Sequence, residues 1–183
     1  YLGATIQSKV SRYSTLTAAE VALENAKIAD AAAKITALTA NSTVAEIEAA
    51  KAAYDALALK SKLNFNDELY AKLVNAVNGV NKIKADAVKA LKLTAKSSAK
   101  KGSITVKWTV KGDASVADGY QVWKSTKQSK GYKKAITTAK KSYKNTKGLK
   151  KGTRYYYKVR AYKVVDGKNV YSDWSNKAYR VAK

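Results

Sequence analysis

The hydrophobic period of this chain changes once, within two or three residues. Up to Leu91 the apolar residues recur every three to four positions, and from Leu93 they recur every second position. A period near 3.6 lays a stripe along a helix, and a period of two lays one face on a strand. No single regular element can serve both stretches, so the chain must divide into a helical part and a β part. No Gly-, Ser- or Pro-rich linker separates them.

Residues 17–91 carry three stripes. Thr17 and Glu20 have the spacing of a capping box, with Leu16 and Val21 placed as a hydrophobic staple. Val21, Ile28, Ile35 and Leu38 follow on one face, with Ala31 and Ala32 along the seam, until Ala40-Asn41-Ser42 interrupts. Thr43 and Glu46 form a second box ahead of Val44, Ile47, Ala50, Tyr54 and Leu57. A third start lies at Asn66, where Phe65 and Tyr70 are placed as the staple; Leu69, Leu73, Ala76, Val80, Ile83, Ala87 and Leu91 continue the stripe. Gly79 inside it costs roughly 1 kcal/mol against Ala, which points to close packing on a neighbour. Three amphipathic helices with short loops predict a three-helix bundle. Residues 1–16 read two ways: YLGATIQ alternates like a strand, whereas SKVSRYS would extend a helix. The stretch EIEAAKAAYDAL (46–57) resembles the Ala-rich helical modules repeated in bacterial cell-surface and S-layer-associated proteins. On its stripe, Tyr54 reads as core rather than as a ligand contact.

In residues 92–183, Ile104, Val106, Trp108 and Val110 alternate with Thr105, Lys107 and Thr109, which predicts a strand with one buried face. Tyr120 and Val122 repeat the pattern, and so do Tyr155, Tyr157, Val159 and Ala161 against Tyr156, Lys158, Arg160 and Tyr162. Turn signals separate the runs at Lys111-Gly112-Asp113, Ser129-Lys130-Gly131, Lys151-Gly152 and Asp166-Gly167-Lys168. Several short strands in about 90 residues predict a β-sandwich. Trp108, Gly119-Tyr120, Leu149, Gly152 and Tyr155-x-Tyr157-x-Val159-x-Ala161 together resemble a fibronectin type III domain. The resemblance implies that Leu149 plugs the bottom of the core. It also implies that Tyr155 bonds its hydroxyl back to the preceding loop, with Lys151 standing where the family usually has Pro. The Lys- and Tyr-rich style resembles copies attached to secreted and wall-associated proteins of Gram-positive bacteria. The expected class is therefore α + β and multidomain, a three-helix bundle at 17–91 followed by a fibronectin type III-like sandwich at 92–183.

The row GTRYYYKVRAYKVVDGKNVYSDWS (152–175) interleaves bases with aromatics, as a nucleic-acid or sugar surface would. The alternation sends Tyr155 and Tyr157 inward and leaves the others beside Lys158 and Arg160. Tyr171-Ser172-Asp173-Trp174-Ser175 resembles the repeated Trp-Ser element of cytokine-receptor domains, in which aromatics of the last strand stack between cations of its neighbour. The resemblance places Trp174 over Arg160 or Lys158, a contact worth roughly 0.5–1 kcal/mol when exposed. Most of the row is thereby structural, and a ligand face is the alternative.

There is no His, Cys, Met or Pro. The usual zinc, haem, iron–sulfur and thiol sites lack their ligands, and a His-based triad is excluded. No carboxylate pair has the look of a glycosidase site, and no Gly-rich phosphate loop precedes a helix. No catalytic, metal or cofactor-binding residue is expected, and no run of 18 apolar residues spans a membrane. Lacking Met, the chain reads as a piece of a longer parent with neighbouring domains. Residues 1–91 hold 11 Lys+Arg and 9 Asp+Glu, a net +2, and residues 92–183 hold 25 Lys+Arg and 4 Asp, a net +21. Any electrostatic function belongs to the second part. Lys133-Lys134, Lys140-Lys141 and Lys150-Lys151 fall on turns or strand ends, where they could reach a polyanion such as a phosphate-bearing wall polymer. Nucleic-acid motifs are absent, so no specific nucleic acid is expected.

The resemblances point to non-catalytic spacer and interaction modules of an extracellular Gram-positive surface or secreted protein. Two alternatives are an adhesin module for a host surface protein or glycan, and an accessory module of a secreted wall-bound or carbohydrate-active enzyme.

Overall fold

The computed structural model describes the backbone of residues 4–183 and the side chains of residues 17–183. Two compact units divide the chain at Val80/Asn81. The division precedes the change of period, because α4 (Asp67–Lys89) crosses it. Val88, near the end of that helix, and Leu91 after it belong to the core of the second unit.

The first unit contains α1 (Ala4–Ala37), α2 (Val44–Asp55), α3 (Leu59–Leu63) and α4 through Val80. Four helices stand where three were expected. The extra one, Leu59-Lys60-Ser61-Lys62-Leu63, buries no residue and so leaves no stripe to read. The helix begins well before Thr17: α1 runs from Ala4, which overturns the strand reading for Ala4–Gln7. The capping-box reading of Thr17 and Glu20 falls with it, since both lie inside the helix; no Gly or Pro follows Gly3 to stop α1 from extending. Tyr1, Leu2 and Gly3 lie outside the described residues.

Thr43 does cap α2, accepting from the Glu46 N–H at 3.3 Å while Glu46 Oε2 accepts from the Thr43 N–H at 2.7 Å. Asn66 caps α4, its Oδ1 accepting from the Leu69 N–H at 2.9 Å. The stripes meet in a core of Ala31, Ile35, Leu38, Ile47, Ala50, Leu57, Phe65, Leu73 and Val80. Burying each large member contributes about 1.5–3 kcal/mol. Phe65 and Tyr70 each set their rings 5.2 Å from that of Tyr54. Two expectations fail along α4. Ile83 is 62 % exposed, because the core of the first unit ends at Val80. A Cβ on Gly79 would meet nothing within 4 Å, so no close neighbour explains that glycine.

The second unit is a two-sheet sandwich. One sheet orders β1 (Lys92–Lys100), β2 (Ser103–Lys111) and β5 (Ser142–Asn145) as β1-β2-β5. The other orders β4 (Lys133–Thr138), β3 (Gly119–Ser125), β6 (Arg154–Val165) and β7 (Lys168–Tyr171) as β4-β3-β6-β7, with β8 (Ala178–Val181) also pairing β6. All pairs are antiparallel. Leu93, Ala95, Ile104, Val106 and Trp108 from one sheet face Tyr120, Val122, Tyr155, Tyr157, Val159 and Ala161 from the other. Alternation fixes this set, since a one-residue slip would exchange it for a mostly polar one of Thr, Lys, Gln, Arg and the outer aromatics. The β6–β7 hairpin turns at Asp166 (φ 49°) and Gly167 (φ 69°), two successive left-handed residues that match the twist of the strands. At Gly119 an added Cβ would lie 3.0 Å from the Thr138 carbonyl and 3.1 Å from the Tyr162 ring, so a side chain there would press on both neighbours.

Candidate functional site

From Tyr155 to Ala161 every second residue of β6 is buried, which leaves Tyr156, Lys158, Arg160 and Tyr162 on the outer face of its sheet. Beside them the last strand is broken. Between β7 and β8, Ser172 donates its N–H to the Ala161 carbonyl at 3.1 Å, and its Oγ accepts the Ala161 N–H at 2.9 Å. Ser175 treats Val159 in the same way, at 2.7 and 3.0 Å. Each serine hydroxyl thus replaces a backbone carbonyl in the ladder, and the chain between them is held without regular strand pairing.

Trp174, between the two serines, lies over the cations of β6. The Arg160 guanidinium carbon is 3.4 Å from the Tyr171 ring centre and 4.5 Å from that of Trp174. Lys158 Nζ is 4.0 Å from the Trp174 ring and 4.7 Å from that of Tyr132. The order Tyr171, Arg160, Trp174, Lys158, Tyr132 is a continuous stack of alternating rings and charges. Trp123 closes one side, its ring edge-on to Trp174 at 5.7 Å. Arg160 also donates from Nε and Nη2 to Gln121 Oε1 at 3.2 and 2.9 Å. Burial pushes the Arg160 pKa down. Burial first, then the charges of Arg160 and Lys177, lowers that of Lys158. The Trp123 indole N–H is buried without a partner.

At the other end of β6, Tyr155 donates its hydroxyl to the Gly148 carbonyl at 3.0 Å and accepts the Lys150 N–H at 2.9 Å. Leu149, between them, is half-buried and packs on the edge of the core. Trp108 is buried with its ring edge-on to Tyr120 at 5.5 Å, and its indole N–H has no partner. Tyr157 is buried at the centre, accepting from Asn145 Nδ2 at 2.8 Å. Burial pushes its pKa up to about 12, against the pull of that hydrogen bond.

The six paired lysines do not form one patch. Lys133 and Lys134 open β4 opposite Lys124 and Trp123. Lys140 and Lys141 follow the other end of β4, about 20 Å away along the strand. Lys150 and Lys151 occupy the turn before β6. All six are exposed. Tyr171 belongs to the row already read beside Arg160, whereas sequence reasoning missed Gln121, Trp123 and Tyr132 as members of the stack, because they come from other strands and loops. Among the described residues no group of three or more His, Cys, Asp or Glu could hold a metal, and no helix is long and apolar enough to cross a membrane.

No protein-family model matches the chain, and no curated protein does. Similar solved structures include an Fn3-like protein from Clostridium thermocellum at 26 % identity, over 52 % of this chain and 95 % of that one, with TM-score 0.40. A fibronectin type-III domain of human fibronectin type III domain containing protein 3 matches at 18 % identity over 49 % and 84 %, with TM-score 0.39. A beta-1,2-glucanase from Parabacteroides distasonis matches at 22 % identity over 52 % of this chain, with TM-score 0.42, and this chain spans 13 % of its length. The second unit is an antiparallel two-sheet β-sandwich, and Fn3-like domains are among the solved structures similar to the chain.

Proposed function

We propose that the chain supplies non-catalytic modules to an extracellular surface or secreted protein of a Gram-positive bacterium. In this reading its helices are a three-helix bundle of the Ala-rich spacer kind with α3 as an insert, and the fibronectin type III-like sandwich that follows contacts anionic wall polymer.

One observation carries the polyanion reading: the charges of the sandwich are sorted by position. No strand from β1 to β8 holds an Asp or Glu. Asp113, Asp118, Asp166 and Asp173 all sit in turns or loops, where Asp113 caps a short 3-10 helix, Asp118 accepts the Val164 N–H and Asp173 pairs Lys92. Lys133, Lys134, Lys140, Lys141, Lys150 and Lys151 have no ion-pair partner among the described residues. A net +21 in 92 residues exceeds what solubility asks and opposes compaction by self-repulsion. A polyanion would relieve that repulsion by exchanging its counterions for lysines.

The test is co-sedimentation or calorimetry of the full chain with purified glycerol-phosphate wall polymer. Binding at about 50 mM salt that is lost by about 300 mM supports the reading, since counterion release makes affinity fall steeply with salt. Absence of binding at low salt overturns it. Salt-insensitive binding to one host protein or glycan would instead make the sandwich an adhesin.

A further inference from the structure

Strands β1 and β2 read KLTAKSSAK and SITVKWTVK, and their alternation puts one set of residues in the core and the other on the outer face. The register then sets Lys96 directly opposite Lys107, and Thr94 directly opposite Thr109. Like charges directly across an antiparallel pair are destabilising. Among the described residues neither lysine forms an ion pair or a cation–π contact, so no such partner neutralises the pair. Lys141 joins them. It precedes Ser142, the partner of Lys107 on β5, and its carbonyl accepts the Trp108 N–H at 3.1 Å. These three lysines and the two threonines line a concavity of about 440 Å³.

Lys96 also borders a second concavity, of about 270 Å³, with Ser97, Lys177, Tyr179 and Arg180. The floor of that groove is pinned. Asn176 accepts the Ala95 N–H at 2.7 Å and donates to the Ala95 carbonyl at 3.0 Å, and Ser97 Oγ donates to the Tyr179 carbonyl at 2.9 Å. The two hollows are therefore consecutive, with Lys96 between them.

We propose that this surface is a binding track for a linear phosphate-bearing polyanion, running from Lys141 over Lys107 and Lys96 to Lys177 and Arg180. Two features suit a phosphate chain. The track is lysine-rich, and lysine binds phosphate as a rotatable point charge that needs no fixed fork geometry along a flexible polymer. Paired threonine hydroxyls beside the central lysines can donate further hydrogen bonds to phosphate oxygens. The proposal rests on the polyanion reading above and deepens it by naming the site.

The experiment compares the full chain with two variants of equal charge. One is Lys96→Gln/Lys107→Gln/Lys141→Gln, and the control is Lys127→Gln/Lys130→Gln/Lys168→Gln, at exposed sites off the track. The probes are linear polyphosphate and polygalacturonate of matched charge. The expected result is a loss of tenfold or more in polyphosphate affinity for the track variant and less than threefold for the control. The slope of log affinity against log salt should fall by about 2–3 in the track variant alone, near one per lost phosphate contact. On titration with polyphosphate, backbone amides of residues 94–97 and 107–109 should shift first. Equal losses in both variants overturn the track while leaving polyanion binding intact. No binding by the unaltered chain overturns both. Polygalacturonate binding as tight as polyphosphate overturns the phosphate preference.

Discussion

On the outer face of the β4-β3-β6-β7 sheet, Arg160 lies between the rings of Tyr171 and Trp174 and is held by Gln121. On the outer face of the β1-β2-β5 sheet, Lys96 looks across at Lys107 with two threonines beside them. Both faces place cations at alternate strand positions. The first consumes its cations in internal contacts, and the second leaves its cations to solvent. A row of bases and aromatics in sequence therefore marks a structural stack here, whereas a row of bases and threonines marks the accessible surface. The physical reason is that a stacked, desolvated cation has already exchanged water for rings, while an exposed lysine retains its counterions for release.

The largest test of this contrast is Trp174→Ala. It removes the ring shared by Arg160 and Lys158 and the edge contact with Trp123, and leaves two partly buried cations facing a gap. A loss of about 2–4 kcal/mol is expected in denaturant unfolding, combining truncation of a half-buried aromatic with its cation–π contacts. Lys107→Ala on the other face should stay within about 0.5 kcal/mol of the parent. Similar losses at the two sites would show that the faces do not differ.

Next in size is Tyr155→Phe. The hydroxyl holds the Gly148 carbonyl and the Lys150 N–H together, so its removal leaves both without that partner. A loss of about 1–3 kcal/mol is expected. Tyr156→Phe, on the outer face, should change little. Equal effects would mean that the Tyr155 hydroxyl is not the special contact, and a larger effect at Tyr156 would mean that the inward and outward sides of β6 have been exchanged.

The sandwich was the more legible unit. A strand period of two allows one registration of core against solvent, so Trp108, Tyr120, Tyr155 and Tyr157 could be placed inside from the string. The helical unit was less so. Thr17-x-x-Glu20 has the chemistry of a cap, but a cap needs the preceding chain to leave the helix, and nothing in Ala4–Leu16 forces it to. The Thr43 box differs because Thr39–Ser42 breaks the path ahead of it. Ile83 was misplaced for a related reason: the stripe continues in sequence past the point where its core ends. For the site, adjacent lysines stand out in the string, yet Lys133-Lys134, Lys140-Lys141 and Lys150-Lys151 fall at separate turns and strand ends. Lys96 and Lys107 share a face only through the β1–β2 register, and no short motif records that. Trp174 was legible because its two serines sit close in sequence on either side of it.

A third test uses pH. Tyr157 has its pKa raised to about 12 by burial, so the folded state favours the protonated hydroxyl. A raised pKa gives stability that is complete below the unfolded value of about 10 and is lost as pH rises from about 10 to about 12. Lys158 and Arg160 are shifted the opposite way and mask part of this slope. The informative quantity is thus the difference between the parent and Tyr157→Phe, which should shrink by on the order of 1 kcal/mol across that window. A difference constant with pH would show that Tyr157 does not titrate from a buried state.

The smallest expected effect bears most directly on what the lysine face is for. Lys107→Glu replaces a like-charge pair with an opposite-charge pair directly across the strands, facing Lys96. Such a pair contributes roughly 0.2–1 kcal/mol, so the variant should be slightly more stable than the parent in denaturant unfolding at low salt. The gain should shrink as salt rises, because both groups are exposed and screened. The same substitution puts a negative charge in the middle of the proposed track, and polyphosphate binding should fall by more than it does for Lys107→Gln. Stability and binding would then move in opposite directions on one side chain, which is the signature of a repulsion kept for a ligand. A variant that loses stability as well as binding would mean that Lys107 is a structural residue. A variant that gains stability and keeps its binding would mean that the polymer lies elsewhere on the sandwich.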